Sequence, residues 1–195
     1  MKKSLIALSL GMFVSTAAFA DMSGAYVALD GGQSKASDAC TGLPAGWSCS
    51  DTATAWRVAG GYNFTPMWGV ELSYGDFGKA ALSGPLLGVP VSGNWKGTAW
   101  QLSGTGTFAI NESFSILARI GVVNSTAKLD VSVPGYGSGG ASASKTTAGF
   151  GIGAQYDFSK MFGIRAQYED LGKWGDSSTG ESKVTLISAG LVFHF

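Results

Sequence analysis

Few side chains in this 195-residue sequence have chemistry to offer: one histidine, two cysteines, three arginines and a scatter of carboxylates. His194 would have to be the general base of any acyl-transfer site, with Ser188 as the serine on its own strand face. A base must reach its nucleophile within hydrogen-bonding distance. The extended chain between them holds the two roughly 20 Å apart, so no catalytic residue is assigned. One histidine and two loop cysteines do not make a closed metal site. Gly135-Tyr136-Gly137-Ser138-Gly139-Gly140 lacks the lysine and following helix of a phosphate-binding loop and reads as a mobile loop. No metal or cofactor is expected. What remains is ion pairing: Asp30, Arg57, Glu71, Arg119, Asp157, Arg165 and Glu169, with Gln155, sit in stretches otherwise apolar, aromatic or small.

Those charges are placed by a period of two. Trp56, Val58, Gly60, Tyr62 and Phe64 alternate with Arg57, Ala59, Gly61 and Asn63; Phe162, Ile164, Ala166 and Tyr168 alternate with Arg165, Gln167 and Glu169. The same alternation returns from about Ser23 to Gly32 and in the stretches beginning at Trp68, Trp100, Phe114, Phe150 and Ile187. Each is a strand with one greasy face and one polar or small face. Arg57 lies on a strand between those bearing Asp30 and Glu71, and is expected to pair there.

The connections alternate too. Short gaps at Thr65-Pro66-Met67, Asn111-Glu112-Ser113 and Ser159-Lys160-Met161 are flanked by Phe64 and Trp68, Phe108 and Phe114, and Phe158 and Phe162. Phe193-His194-Phe195 ends the chain. Long gaps run roughly over Gln33–Thr52, Lys79–Asn94, Lys128–Lys145 and Gly172–Ser182. A soluble barrel or sandwich with its apolar face inward would also alternate, but two observations favour a membrane. Aromatics gather at strand ends, and the strand between them spans ~20 Å when tilted, near the ~25 Å apolar band of an outer-membrane barrel. All three arginines take the polar parity in mid-strand, where a lipid-facing charge would cost ~2–4 kcal/mol. The expected fold is all-β: an eight-stranded antiparallel up-and-down transmembrane β-barrel. Its lumen is narrow enough to be filled by its own side chains. Phe64, Trp68, Phe108, Phe114, Phe158, Phe162, Phe193 and Phe195 form the expected periplasmic aromatic girdle.

Lys2, Lys3, the apolar run Leu5 to Val14 and Ala18-Phe19-Ala20 read as a secretory signal peptide over residues 1–20, leaving a barrel domain over 21–195. Its removal leaves 11 basic against 13 acidic residues, which gives a nucleic-acid partner no electrostatic support. Cys40 and Cys49 share the first long gap of an exported chain, so a loop disulfide is expected in the oxidising periplasm. Leu82, Leu86, Leu87, Val89 and Val91 make the second gap unusually apolar for a surface segment, a patch suited either to a binding partner or to lipopolysaccharide and neighbouring loops.

Glu71-Leu72-Ser73-Tyr74-Gly75-Asp76-Phe77-Gly78 and Arg165-Ala166-Gln167-Tyr168-Glu169-Asp170-Leu171-Gly172, with the signal peptide and the strand pattern, resemble the small outer-membrane β-barrel family. That family includes the OmpA transmembrane domain and the OmpX and Ail type proteins. The resemblance implies residence in the outer membrane of a Gram-negative cell, among its lipids and lipopolysaccharide. It implies delivery by the outer-membrane assembly machinery, which reads a terminal aromatic such as Phe195. It also implies host-surface ligands, as in the Ail-like branch. OmpA proper carries a peptidoglycan-binding domain for which these residues have no counterpart, so cell-wall tethering is not carried over. The expected role is non-enzymatic: membrane integrity, with four external loops for surface interaction or adhesion. The alternatives are a low-conductance pore gated by the Arg/Glu/Asp network and, more distantly, lipid A modification.

Overall fold

The computed structural model describes residues 23–42, 46–86, 89–133 and 137–195; the expected signal peptide lies outside them. Strands β1 (Gly24–Ala36), β2 (Ser48–Ser50), β3 (Thr52–Asn63), β4 (Trp68–Leu86), β5 (Val89–Ala109), β6 (Phe114–Val133), β7 (Gly137–Asp157), β8 (Phe162–Trp174) and β9 (Ser182–His194) are all antiparallel to their neighbours. Apart from the three-residue β2, they close into an eight-stranded barrel in which β1 pairs with both β3 and β9, and β4 with both β3 and β5. The parity read from the sequence separates inside from outside. Trp56 is 48 % and Leu102 59 % exposed, whereas Arg57 is 1 % and Arg165 3 % exposed.

Each short turn is tied by the first polar side chain in it. Thr65 Oγ1 accepts from the Trp68 amide at 2.9 Å, Asn111 Oδ1 from Phe114 at 2.8 Å and Ser159 Oγ from Phe162 at 3.0 Å. These side chains mimic a backbone turn and fix the hairpin registers. At the other end the strands are unequal. β4 to β7 run for 19 to 21 residues, against 12 to 13 for β1, β3, β8 and β9. The gaps Lys79–Asn94 and Lys128–Lys145 are therefore mostly sheet rather than loop, paired out to Leu86↔Val89 and Val133↔Gly137. Gly137 to Gly140, expected in a mobile loop, belong to β7. Glycine, serine and proline disguised these strands, because they interrupt the alternation of apolar and polar residues.

The projecting sheet has two different edges. β2 pairs with β4 at Cys49↔Leu82, and the Cys40–Cys49 disulfide ties it down. The Trp47 ring lies where a side chain at Gly84 would stand. On the other side, β7 pairs with β8 only from Phe150 to Asp157, so its outer half has no strand partner there; Lys145 instead reaches Glu181 at 2.7 Å. Leu82 packs inward with Trp95 and Leu129 around a cavity of about 220 Å³ rather than standing exposed. Leu87, Gly135 and Tyr136 lie outside the described residues.

A repeated segment bends the barrel twice. Tyr62-Asn63-Phe64-Thr65-Pro66-Met67-Trp68-Gly69 and Tyr156-Asp157-Phe158-Ser159-Lys160-Met161-Phe162-Gly163 share Tyr, Phe, Met and Gly at corresponding positions, with similar residues elsewhere except Pro66 against Lys160, and their continuations end in Asp76-Phe77-Gly78-Lys79 and Asp170-Leu171-Gly172-Lys173. At each end the register slips, between Asp76 and Lys79 and between Asp170 and Lys173. Gly78 and Gly172 have φ of 75° and 76°, which favours glycine, and their amides donate to Asp76 Oδ1 at 2.8 Å and Asp170 Oδ1 at 3.0 Å. Up to the slip Phe77 and Leu171 keep the inward parity of Glu71 and Glu169; beyond it parity reverses, so Lys79 and Lys173 turn outward and Trp174 turns inward. Phe77 and Leu171, with Ala99, Val123, Trp174, Val184 and Leu186, form an apolar plug. Trp174 meets Phe77 edge-on at 4.8 Å and donates its indole N–H to the Leu171 carbonyl at 3.0 Å.

Trp174→Ala should cost about 3–5 kcal/mol in reversible urea unfolding from lipid vesicles; an unchanged midpoint would remove the plug from the barrel's stability. Reducing Cys40–Cys49 should expose the chain around β2 to protease while the barrel persists. Lys145 first, and Lys173 second, hold the Glu181 carboxyl below its ordinary range. A depressed carboxyl ties its loop above that ordinary range and lets go as pH falls through the lowered value. The NMR signals of the Lys145 and Lys173 side-chain ends should therefore shift together in acid, and stay still in Glu181→Gln.

Candidate functional site

Six charged side chains meet inside the barrel below the plug. β1 contributes Asp30, β3 Arg57, β4 Glu71, β6 Arg119, and β8 both Arg165 and Glu169. All six are buried. Asp30 and Arg57 face each other in register, so Arg57 Nε and Nη2 reach Asp30 Oδ2 at 3.1 and 3.0 Å. Arg165 Nε donates to Asp30 Oδ1 at 2.9 Å and Nη2 to Oδ2 at 2.7 Å, while its Nη1 reaches Glu71 Oε2 at 2.6 Å. Arg119 Nη2 stands 2.9 Å from Glu71 Oε1, at ion-pair distance without hydrogen-bond alignment, and Nη1 is 3.4 Å from Glu169 Oε1. Arg57 Nη1 completes the circuit on Glu169 Oε1. The sequence around the ring is Arg57, Asp30, Arg165, Glu71, Arg119, Glu169: alternating signs, three of each, no net charge.

Two neutral groups complete it. Tyr26 Oη donates to Glu71 Oε2 at 2.9 Å and Gln101 Nε2 to Glu169 Oε2 at 3.3 Å. Inward glycines make the room. A Cβ at Gly151 would lie 2.6 Å from Glu169 Cγ and 3.1 Å from Arg119 Cγ, and one at Gly61 would fall on the Tyr26 ring. Below the ring a cavity of about 20 Å³ opens between Tyr26, Thr105, Arg119, Arg165 and His194. That is space for about one water molecule. The hydroxyls of Ser103, Thr105, Ser115 and Ser188 and the Gln167 Nε2 face the interior with no hydrogen-bond partner among the described residues.

The ring differs from the sequence expectation in two respects. Asp157 and Gln155 are not in it. Gln155 Nε2 donates to Asp157 Oδ1 at 2.9 Å, and that oxygen is 3.5 Å from His194 Nε2. Asp157 ends β7 beside the Ser159 turn, whereas Glu169 pairs with Gly151 further up the barrel, so the two carboxylates sit at different heights. Arg57 also bridges to Glu169 rather than Glu71. In the β3–β4 register Arg57 faces Gly75 and Glu71 faces Gly61, which separates them along the axis. Tyr26 and Gln101 share the polar parity and were readable in principle. So do the plug residues Phe77 and Leu171; Trp174 does not, because parity reverses at the bulge, and the Asp-x-Gly signature marks where.

His194 sits at the rim with Gln155 and Asp157, not with Ser188, which pairs in register with Gly32 and Gln167. Among the described residues no cluster of His, Cys, Asp and Glu could hold a metal ion. At the turn end, Phe64, Trp68, Phe108, Phe158, Phe162 and Phe195 are exposed, and Phe114 and Phe193 half-buried. Phe158, Phe162, Phe193 and Phe195 form a continuous row with ring centroids 6.5, 5.0 and 4.8 Å apart.

An apolar exterior around a neutralised ionic interior is the arrangement of a barrel that spans a bilayer, and comparison with known proteins agrees. No curated relative matches the sequence. Among solved structures, Ail, the attachment invasion locus protein of Yersinia pestis, superposes with a TM-score of 0.53 at 21 % identity, covering 88 % of this chain and 100 % of that one. The N-terminal β-barrel domain of Pseudomonas aeruginosa OprF gives 0.52 at 16 %, covering 89 % and 99 %, and OprG from the same organism 0.53 at 14 %, covering 89 % and 98 %. These likenesses are of fold. The OmpA-like transmembrane domain matches over residues 20–195, nearly the whole sequence. The chain belongs to that family of outer-membrane β-barrels.

Proposed function

We propose that this protein is a sealed, non-enzymatic barrel that stabilises the outer membrane and displays its projecting sheet and loops to the exterior. The observation that carries this reading is the filled lumen: a charge ring with no net charge, roofed by the plug around Trp174. A conducting path would have to part buried ion pairs and displace an apolar cluster together. Residues 1–20 act as the cleaved export signal, Phe195 is read by the assembly machinery, and the aromatic row at the turn end lies at the periplasmic interface. Lipopolysaccharide and phospholipid surround the barrel. Host-surface ligands would meet the sheet formed by β4 to β7. Ail has been crystallised with the heparin analogue sucrose octasulfate, which makes a sulfated glycan the first probe to try.

Reconstituted in planar bilayers, the mature protein should show no steady conductance. Reproducible steps that vanish or change in Arg57→Ala or Glu71→Ala would establish the pore reading instead. Removing one ring member leaves a buried charge without its partner, which costs about 3–5 kcal/mol. Glu71→Gln should lower the unfolding free energy by that order, read from urea titration in vesicles.

A further inference from the structure

The two bulges turn lysines outward as well as apolar residues inward. Lys79 stands directly opposite Lys96 in the β4–β5 register, and Lys96 directly opposite Lys128 in the β5–β6 register. Residues facing each other across strands share one side of the sheet, ~4.5–5.5 Å apart. On β5 and β6, which run without a slip in register, Lys96 shares its parity with Trp100 and Leu102, and Lys128 with Ile120. The three ammonium groups therefore form a row on the face that carries the lipid-contacting band. Trp56, Tyr74 and Trp100 cluster below it, with ring centroids 6.1 and 4.9 Å apart. From Trp100 up to Lys96 the tilted strand climbs ~10 Å, from the aromatic belt to the level of the outer-leaflet headgroups.

Like charges placed directly across strands oppose folding unless something neutralises them. Within the chain little does. Lys96 lies 3.5 Å from Asp130, both well exposed, and Asp76 is turned onto the Gly78 amide. Lys79 and Lys128 have no ion pair among the described residues. The contrast with the opposite side of the barrel is informative: there Lys35 meets Asp51, Lys173 meets Glu181 and Lys183 meets Asp170. The cationic excess is confined to one panel, at one height, on the membrane-facing side.

We infer that Lys79, Lys96 and Lys128 form a docking surface for the phosphate-bearing headgroup of an outer-leaflet glycolipid, with the aromatic cluster below against its sugar and proximal acyl chains. The inference rests on the membrane-spanning reading above and adds a site to it. Phosphates bridged by lysines on three adjacent strands would fasten the glycolipid to the barrel wall, a concrete means of reinforcing the membrane.

The test uses the mature protein in phospholipid nanodiscs, with heat-modifiable gel mobility confirming the inserted barrel. Failure to insert would sink the membrane reading itself, whatever the lysines do. Given insertion, binding of bisphosphorylated lipid A and of its dephosphorylated form is measured by native mass spectrometry. The bisphosphorylated form should be preferred. The triple variant K79Q/K96Q/K128Q should lose about a hundredfold in affinity for it, from a contribution of ~1 kcal/mol per lysine near an anionic surface. K35Q/K173Q/K183Q, whose lysines are already paired, should bind as the parent does. Equal binding of both lipid A forms, or a triple variant as tight as the parent, overturns the proposal. So does lysine-dependent capture of soluble sucrose octasulfate in place of lipid A, which would reassign the row to a polyanion of the exterior.

Discussion

The interior is governed by desolvation of charge. Three guanidinium groups and three carboxylates stand in a narrow space from which bulk water is excluded, and isolated ions there would be prohibitive. The arrangement is tolerable because every member touches two of opposite sign, with Tyr26 and Gln101 supplying the hydrogen bonds left over. Much else follows. Glycines at inward positions are small because the ring needs their volume. The strand faces alternate because the exterior must be apolar where the interior is ionic.

Much of this was legible in the residues. The parity of Arg57, Arg119 and Arg165 against Trp56, Leu102 and Ile164 separated inside from outside, and aromatic pairs around Thr65, Asn111 and Ser159 marked the tight turns. What sequence pattern could not supply was height. Asp157 has the right parity and the wrong level, and only strand register distinguishes it from Glu169. Parity itself failed at Asp76–Lys79 and Asp170–Lys173, where one slip in register turns Lys79 and Lys173 to the surface and Trp174 to the inside. The projecting strands were hidden for another reason: outside the bilayer neither face needs to be greasy, so Gly137 to Lys145 form a strand that looks like a linker.

The two bulges connect the plug in the lumen with the lysines of the surface. A positive-φ glycine, its amide held by an aspartate two residues earlier, follows a side chain in the lumen and turns the next residue, a lysine of the same parity, to the surface. Because the segment occurs twice, the plug receives Phe77 from β4 and Leu171 from β8, and the surface receives Lys79 and Lys173. The copies then diverge. Lys173 and Lys183 found carboxylates within the chain, whereas Lys79 and Lys128 have none among the described residues. Equivalent geometry thus yields a self-satisfied panel on one side of the barrel and a cationic one on the other.

The distribution of ring members along the chain also bears on assembly order. Before β8 arrives, the nascent sheet holds two separate couples, Arg57 with Asp30 and Arg119 with Glu71. Arg165 and Glu169, both from β8, each join one couple to the other. No partial barrel can complete the circuit. The penultimate strand is the clasp, and an unfinished cylinder meeting the lipid early would carry its ionic couples unlinked.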